Sequence, residues 1–547
     1  MADDSLLAHG FTSNFTPTPA DLADIQRLAR CGSLPSDPGR IRAIVSGAPA
    51  DLEQYLAEIE RVEQQQNMQQ ELRRLTLEHK TLASYAAFCC SLLSPAQRLP
   101  NELLVEIFDL CFPAKLYCMG VSGSSVDEVS RLTRRHLQRL AQVCFRWYRV
   151  ALNTPKLWST IVIHPDLWDN APLDDTTLMN LLESSLERGK EHPLNIVVSL
   201  SPGNCSDSVL ETLFRQAPRW READIWSVGG PSDVLSRATN WKLDRLVSLS
   251  LDVGSWRDIK AFQHAPSLTE LTFGREFDDL PILPWPQIKT VTYDSLSDDS
   301  PLHSALSVLR AAVNLVTCTL HFHLEGYDTD NEPWGTHATS RTRELYIRWM
   351  TSIGNDPILG RFLDSLTLPR LDVFDIRPDD GGVFPPLWST NAFLGLAHRS
   401  EFQSTVTYLG LHVQVTDIGL LRCLGALSQL EQLVIRDCTP PAVTDYFLRG
   451  LQLHALPGST PLVPNLGFLS IRCRLSFTDP VLVDLLASRR RVRGEDVFKM
   501  NLWWYATRRR EVASETLERI AQLVSEGGLI FDSGAYDRAI HDGDKML

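Results

Sequence analysis

Across 547 residues there is no C-x-x-C pair, no G-x-x-x-x-G-K-[ST], no H-E-x-x-H and no G-x-S-x-G. The 11 cysteines are scattered, with only Cys89 and Cys90 adjacent, which leaves zinc-site and thioredoxin-like readings without support. The other absences remove the motif-bearing phosphate-loop, zinc-protease and hydrolase-elbow classes. No catalytic residue, metal or cofactor is therefore expected. Long apolar runs are missing too, and the opening MADDSLLAHGFTSNFTPTPADLAD is acidic where a secretory signal needs a positive region. A chain in the cytoplasm or nucleus, with no membrane contact, is expected. Positive charge is in deficit: 53 basic against 67 acidic residues give −14, which works against nucleic-acid binding through the whole-protein field.

What is present is an ordinary globular composition, 44% apolar and 22% charged, on a chain longer than one hydrophobic core usually serves. Several domains or one repeat array follow from that. Residues 1–50 cluster Pro, Gly, Ser and Thr, as in Thr16-Pro17-Thr18-Pro19 and Ser36-Asp37-Pro38-Gly39, and predict a flexible arm with at most one or two helical turns. From Asp51, read as an N-cap, residues 51–93 lack Gly and Pro and predict one long amphipathic helix, interrupted in its apolar seam by Gln64–Gln66.

The most informative stretch is LPNELLVEIFDLCFP at 99–113 followed by LQRLAQVCFRWYRVALNTPKLWSTIVI at 137–163. Pro100 starts a short helix whose Leu103, Leu104, Ile107 and Phe108 make a stripe too wide for an isolated surface helix. Leu137, Leu140, Val143, Cys144, Trp147, Val150 and Ala151 repeat at three and four, and Asn153-Thr154-Pro155 ends the second helix before Leu157-Trp158. This order of residues resembles the F-box, and the preceding helix with its Ser-Pro-x-x-Arg-Leu-Pro approach is similar to F-box proteins of mushroom-forming fungi. The resemblance covers about 51–163, with the F-box at 94–163. It implies an almost wholly helical stretch there, except for an exposed loop over the Gly- and Ser-containing 113–136. It also implies that Leu99, Pro100, Leu103, Ile107, Phe108, Leu140 and Val143 meet a Skp-type adaptor, and through it a cullin, while Trp147 and Trp158 hold the module together.

Beyond it, L-x-x-L-x-L or an apolar equivalent occurs nine times, centred on Ala223, Leu249, Leu271, Val291, Cys318, Phe374, Leu409, Leu433 and Leu469. Several of the steps between them fall in the leucine-rich-repeat range of about 20–29 residues. The asparagine that usually closes such a strand is missing. The expected fold is mixed: an N-terminal helical F-box module, then a degenerate leucine-rich-repeat-like solenoid over 190–535 with a curved parallel sheet. A step of 56 residues suggests an excursion carrying Trp334 and Trp349, and ETLERIAQLVSEGGLIFDSG reads as a helix, a Gly turn and a strand that cap the array.

Intervening positions on such strands form an exposed array, so Ser248, Ser250, Glu270, Thr272, Thr290, Thr292, Thr317 and Thr319, with Asp375, Gln432, Val434 and Ser470, are the candidate contacts to a target protein. Arg489-Arg490-Arg491 with Arg493, and Arg508-Arg509-Arg510 beside Trp503-Trp504-Tyr505, offer a second possibility, a phosphate-bearing or nucleic-acid ligand. His321-Phe322-His323 has the spacing of a two-histidine metal site without an evident further ligand. The function expected is substrate recognition for a cullin-RING ubiquitin ligase, with ubiquitin transfer done elsewhere. A non-degradative scaffold built on the same F-box is the alternative.

Overall fold

The computed structural model describes residues 17–31, 37–63, 69–93, 99–111, 139–163, 175–199, 207–226, 241–252, 259–274, 280–295, 301–324, 337–350, 358–378, 385–436, 441–453, 461–490, 497–505 and 511–536. Where composition predicts an arm, the chain forms helix α1, Pro19–Cys31, and the start of α2, Pro38–Glu63. Each helix opens on a proline, whose missing N–H costs nothing in a first turn. Capping completes the start: Asp21 N–H donates to Thr18 Oγ1 at 3.2 Å, Thr18 N–H returns a bond to Asp21 Oδ2 at 3.0 Å, and Arg40 N–H donates to Asp37 Oδ1 at 3.1 Å. Prolines that look like breakers in the sequence are helix starts.

The single helix expected over 51–93 is two. Helix α3 spans Gln69–Leu93 and folds back on α2: Ile41 packs with Tyr85, Cys89 and Leu92 and with Ile25 of α1, while Tyr55 packs with Leu75 and Leu82. The start of α2 thus lies by the end of α3, an antiparallel hairpin. Asp51 is not an N-cap; it is buried in mid-helix, two residues after Pro49, which also lies inside α2. An interior proline costs about 3 kcal/mol, and the apolar contacts on both sides of it outweigh that cost.

Next come α4, Asn101–Leu110, a helical stretch at 139–143, α5, Phe145–Asn153, and a 3-10 turn, Pro155–Trp158. The loop expected at 113–136 lies outside the described residues. The helical expectation fails at its end: Thr160–Ile163 is strand β1, and it opens the main sheet.

That sheet has fourteen strands. After β1 they are β2 Leu194–Ser199, β3 Trp220–Trp226, β4 Ser248–Asp252, β5 Glu270–Gly274, β6 Thr290–Asp294 and β7 Thr317–His323. They continue as β9 Glu344–Met350, β11 Val373–Pro378, β12 Tyr408–Leu411, β13 Gln432–Arg436, β14 Phe468–Cys473, β15 Phe498–Tyr505 and β16 Leu529–Tyr536. The short strands β8, Ala338–Thr339, and β10, Leu366–Thr367, pair separately. In the main sheet each strand runs parallel to the next along the chain.

All nine central motif positions lie in one register row, which runs Ile161, Ile196, Ala223, Leu249, Leu271, Val291, Cys318, Leu345, Phe374, Leu409, Leu433, Leu469, Met500, Phe531. The step of 56 residues hides no simple excursion. It contains β9, whose Leu345 divides it into steps of 27 and 29. Trp349 is buried on that strand, and Trp334 lies outside the described residues. Helices on the connections cover the apolar face, from Asp175–Gly189 after β1 to Ser514–Ser525 before β16. Where the step shortens to 22 or 20 residues no α-helix is described, and aromatic rings fill the space: Phe262 lies 5.9 Å from Trp241, and Trp285 lies 6.2 Å from Phe273. The last unit matches its reading, with helix Ser514–Ser525, Gly527 at φ 83° and then β16, since glycine takes the left-handed turn without strain.

Leu345 is fully buried in this row, so Leu345→Ala should cost about 2–5 kcal/mol and lower the melting temperature as much as Leu249→Ala does; an unchanged melt would deny β9 its place in the core.

Candidate functional site

Two surfaces carry chemistry, and the first is the outside of the small helical module. Its own core is closed by Leu104, Phe108, Val150, Ala151 and Leu157, with Trp147 and Trp158 against them. Phe108 and Trp147 rings lie 5.0 Å apart, and Trp158 Nε1 donates to the Ala151 carbonyl at 2.8 Å. Arg146 donates to Asn101 Oδ1 at 3.0 and 3.2 Å and to the Leu99 carbonyl, fixing the start of α4 against α5. Lys156 Nζ, on the 3-10 turn, lies 2.7 Å from Asp109 of α4, an exposed pair of small worth.

With that core complete, Leu103, Leu110 and Val143 remain 50%, 82% and 60% exposed, and Ile107, Phe145 and Tyr148 are exposed as well. Leu103, Ile107 and Leu110 follow at four and three residues, one stripe of α4. Six large apolar side chains left in water by a closed module mark an interaction face. Of the residues assigned to the adaptor from sequence, Leu103, Ile107, Val143 and Pro100 are exposed and Leu99 is half-buried. Phe108 is fully buried and Leu140 packs on the core, so both turn inward: of two neighbouring apolar positions on a helix, one faces the core. Leu110, Phe145 and Tyr148 were missed, although Leu110 repeats the Leu103 position seven residues on.

The second surface is the sheet face opposite the apolar row, where alternate residues point. The register aligns Ser248, Glu270, Thr290 and Thr317 in one row and Ser250, Thr272, Thr292 and Thr319 in the next. Glu270 and Gln432 are exposed and Ser248, Ser250, Thr272, Thr290, Thr317, Thr319 and Ser470 are half-buried, whereas Thr292, Asp375 and Val434 are buried and offer little contact.

A third row was not foreseen. The residue after the last apolar position of each motif gives Asp294, His321, Arg348 and Arg377 as successive partners, then Arg436, Arg472 and Trp503. Arg348 Nη1 donates to Asp375 Oδ1 at 2.8 Å, Arg377 Nε lies 3.5 Å from the same oxygen, and Tyr408 OH donates to Asp375 Oδ2 at 3.3 Å. Burial, with Asp375 adding to it, pushes the Tyr408 phenol up to about 12. The Asp375 carboxylate lies over Gly410, where any Cβ would overlap it.

The arginine cluster singled out at 489–491 is corrected. Arg489 is buried, donating to the carbonyls of Leu451 at 2.6 Å, Leu462 at 2.9 Å and Val463 at 3.0 Å, and Arg490 pairs with Glu526. A guanidinium spent on three carbonyls has no fork left for a ligand. Arg491, Arg493 and Arg508–Arg510 lie outside the described residues, and Trp504 is buried on the inner side of β15. His321 and His323 flank the buried Phe322, with His323 Nε2 3.0 Å from Asp294 Oδ1. Among the described residues no group of three or more His, Cys, Asp or Glu is placed to hold a metal ion, and no helix is long and apolar enough to cross a membrane.

With this geometry in place, comparison bears on the helical module that carries the first surface. Residues 96–164 match the F-box-like family model, so the chain carries an F-box-like domain there, ending just past β1. F-box domains in general bind Skp-type adaptors. No curated protein matches the chain.

One group on the strand face titrates unusually. Burial pushes the Asp224 carboxyl up to about 7, against a hydrogen bond with Ser250 and with help from Asp252. The folded chain then holds this proton to higher pH than the unfolded chain, whose carboxyl titrates near its ordinary 3.8. Its contribution to stability therefore falls as pH rises from about 4 to about 7 and is level above that. Asp224→Asn should melt higher than the parent at pH 8, with the difference closing towards pH 4; a gap independent of pH would contradict the assignment.

Proposed function

We propose that the protein is the substrate-recognition subunit of an SCF-type cullin-RING ubiquitin ligase, working in the cytoplasm or nucleus. The F-box-like domain docks a Skp-type adaptor, and the adaptor a cullin. The fourteen-strand array is a degenerate leucine-rich-repeat solenoid whose strand face holds a target protein. On this reading the chain does no chemistry. It holds a target lysine near a ubiquitin-charged enzyme, and the rate comes from raised effective concentration.

The observation that carries the reading is the exposed Leu103, Ile107 and Leu110 stripe on a module whose core is already closed. Among the described residues nothing in the module's own packing requires those side chains to be apolar, and a partner surface accounts for them. The array supports the second half: strictly sequential parallel pairing and one in-register apolar row are what stacked repeats produce, each unit too small to bury its own core.

A Leu103→Ala, Ile107→Ala, Leu110→Ala variant should lose the adaptor in co-purification while melting like the parent, because each truncated hot-spot side chain costs about 2 kcal/mol or more of binding and little folding energy where it is exposed. Trp147→Ala should do the reverse, lowering the module's melting temperature through a loss of about 3–5 kcal/mol. Adaptor capture by the triple variant at the parental level would remove the support for this function.

A further inference from the structure

The two ends of the sheet are unequal. β1 is four residues long and leads in from the helical module, whereas β16 has eight, as many as any strand of the sheet. Proteins guard an open edge by keeping it short or by placing lysine, proline or a bulge on it. β16, LIFDSGAY, has neither lysine nor proline, and its one charge is Asp532. Among the described residues it pairs only with β15, and that pairing runs without a bulge. Phe498 N–H donates to the Gly528 carbonyl at 3.2 Å, so in this parallel ladder the even-numbered residues of β16 bond to β15. Leu529, Phe531, Ser533 and Ala535 turn their N–H and C=O groups to the free edge.

The helix above this edge is apolar on the same side. In Ser514–Ser525, Thr516 and Ile520 are buried, and Glu526, just past its end, pairs with Arg490 at the end of the preceding helix, Asp479–Arg489. That ion pair marks the flank turned to the preceding unit. The opposite flank holds Leu517, Ala521 and Val524 at steps of four and three, Leu517 half-buried and the other two exposed. Below them Phe531, the last residue of the central apolar row, is half-buried although every earlier member of the row is buried, and Ile530 on the other face is 49% exposed. A terminal repeat stands in water on a polar outer side. This one presents an apolar stripe and a free backbone edge.

We infer that a second copy of this chain covers the end, the two β16 strands pairing antiparallel about a twofold axis normal to the sheet. A parallel sheet accepts an antiparallel strand at its edge. A twofold contact closes on itself, whereas β16 set on β1 of the next copy would open a filament. The axis keeps both helical layers on one side, so the Leu517, Ala521 and Val524 stripe faces its equivalent over the joint. Phe531 opposite Phe531 is the register that carries the apolar row across. It brings the outward backbone groups of Phe531 onto each other and those of Leu529 onto Ser533, as an antiparallel pair requires. It also sets Asp532 against Ile530, where centring the axis on Asp532 would oppose two carboxylates. A second copy suits this end because edge, row and stripe each meet their own equivalent with no like charges opposed.

The test is sedimentation equilibrium of the full chain at micromolar concentration. A dimer is expected, and added salt should strengthen it, since each copy carries −14 and screening relieves their repulsion. Val524→Glu, Ser533→Pro puts a charge in the stripe and removes an outward N–H that the β15 pairing does not use. It should raise the dissociation constant about tenfold or more while melting like the parent. Leu56→Glu, Leu77→Glu, at exposed positions of α2 and α3, should leave the dimer unchanged. Mixed Ile530→Cys and Asp532→Cys chains should cross-link on mild oxidation above the level of either alone; cross-linking by Asp532→Cys alone overturns the register. A monomeric parent, growth beyond the dimer, or a dimer untouched by Val524→Glu, Ser533→Pro overturns the inference. So does a dimer that forms only on truncation after Tyr536, which would assign the edge to the chain's own last residues.

Discussion

Everything in the larger part of the molecule depends on one register row, the fourteen apolar residues from Ile161 to Phe531 that stand partner to partner across the sheet. No strand of four to eight residues buries such a side chain alone. Each inner member is covered by the strands on either side and by residues of the connections, so the units depend on one another for their cores. The dryness of the row is visible in its one titratable member: burial pushes the Cys318 thiol up to about 12, which leaves it an inert packing group.

The pleat that buries this row also organises the opposite face. With a period of two, the residues on either side of a central leucine must form rows of their own, so arginines tens of residues apart become neighbours with no local sequence signal between them. A slip of one residue in any strand would exchange core and surface. The buried row therefore specifies the position of the charged one. Gly410 shows how finely: the absence of a side chain on β12 is what lets the Asp375 carboxylate lie across that strand and meet Tyr408 as well as the arginines.

The apolar spacing was legible in the sequence because L-x-x-L-x-L is a local pattern, and all 27 motif residues from Trp220 to Ile471 are buried. β9 escaped because Thr342 stands where the motif has its first leucine. The arginine row escaped although Ile-Arg recurs on four strands, because contiguous arginines are the more conspicuous signal, and one of those, Arg489, is a structural donor to three carbonyls. In the helical module, type and spacing located the apolar positions but not which of two adjacent ones faces out; Phe108 against Ile107 is settled only by the partner helix. The N-terminal helices were read as an arm because proline was weighed as a breaker without its position in the first turn.

β1 belongs at once to the F-box-like match and to the sheet. The backbone passes from one to the other within a hydrogen-bonded frame: Asn195 N–H donates to the Ser159 carbonyl at 2.9 Å, and the Arg188 guanidinium lies 4.4 Å over the Trp158 ring. Between α5 and the first strand of the sheet, only the 3-10 turn Pro155–Trp158 intervenes. Each later strand then adds one fixed increment of about 4.8 Å, which places the Arg436 and Arg472 strands about 50 Å of sheet contour from β1. The sheet is thus a ruler as well as a surface, and gaining or losing one strand with its connection would move whatever the far strands carry by one step relative to the F-box-like domain.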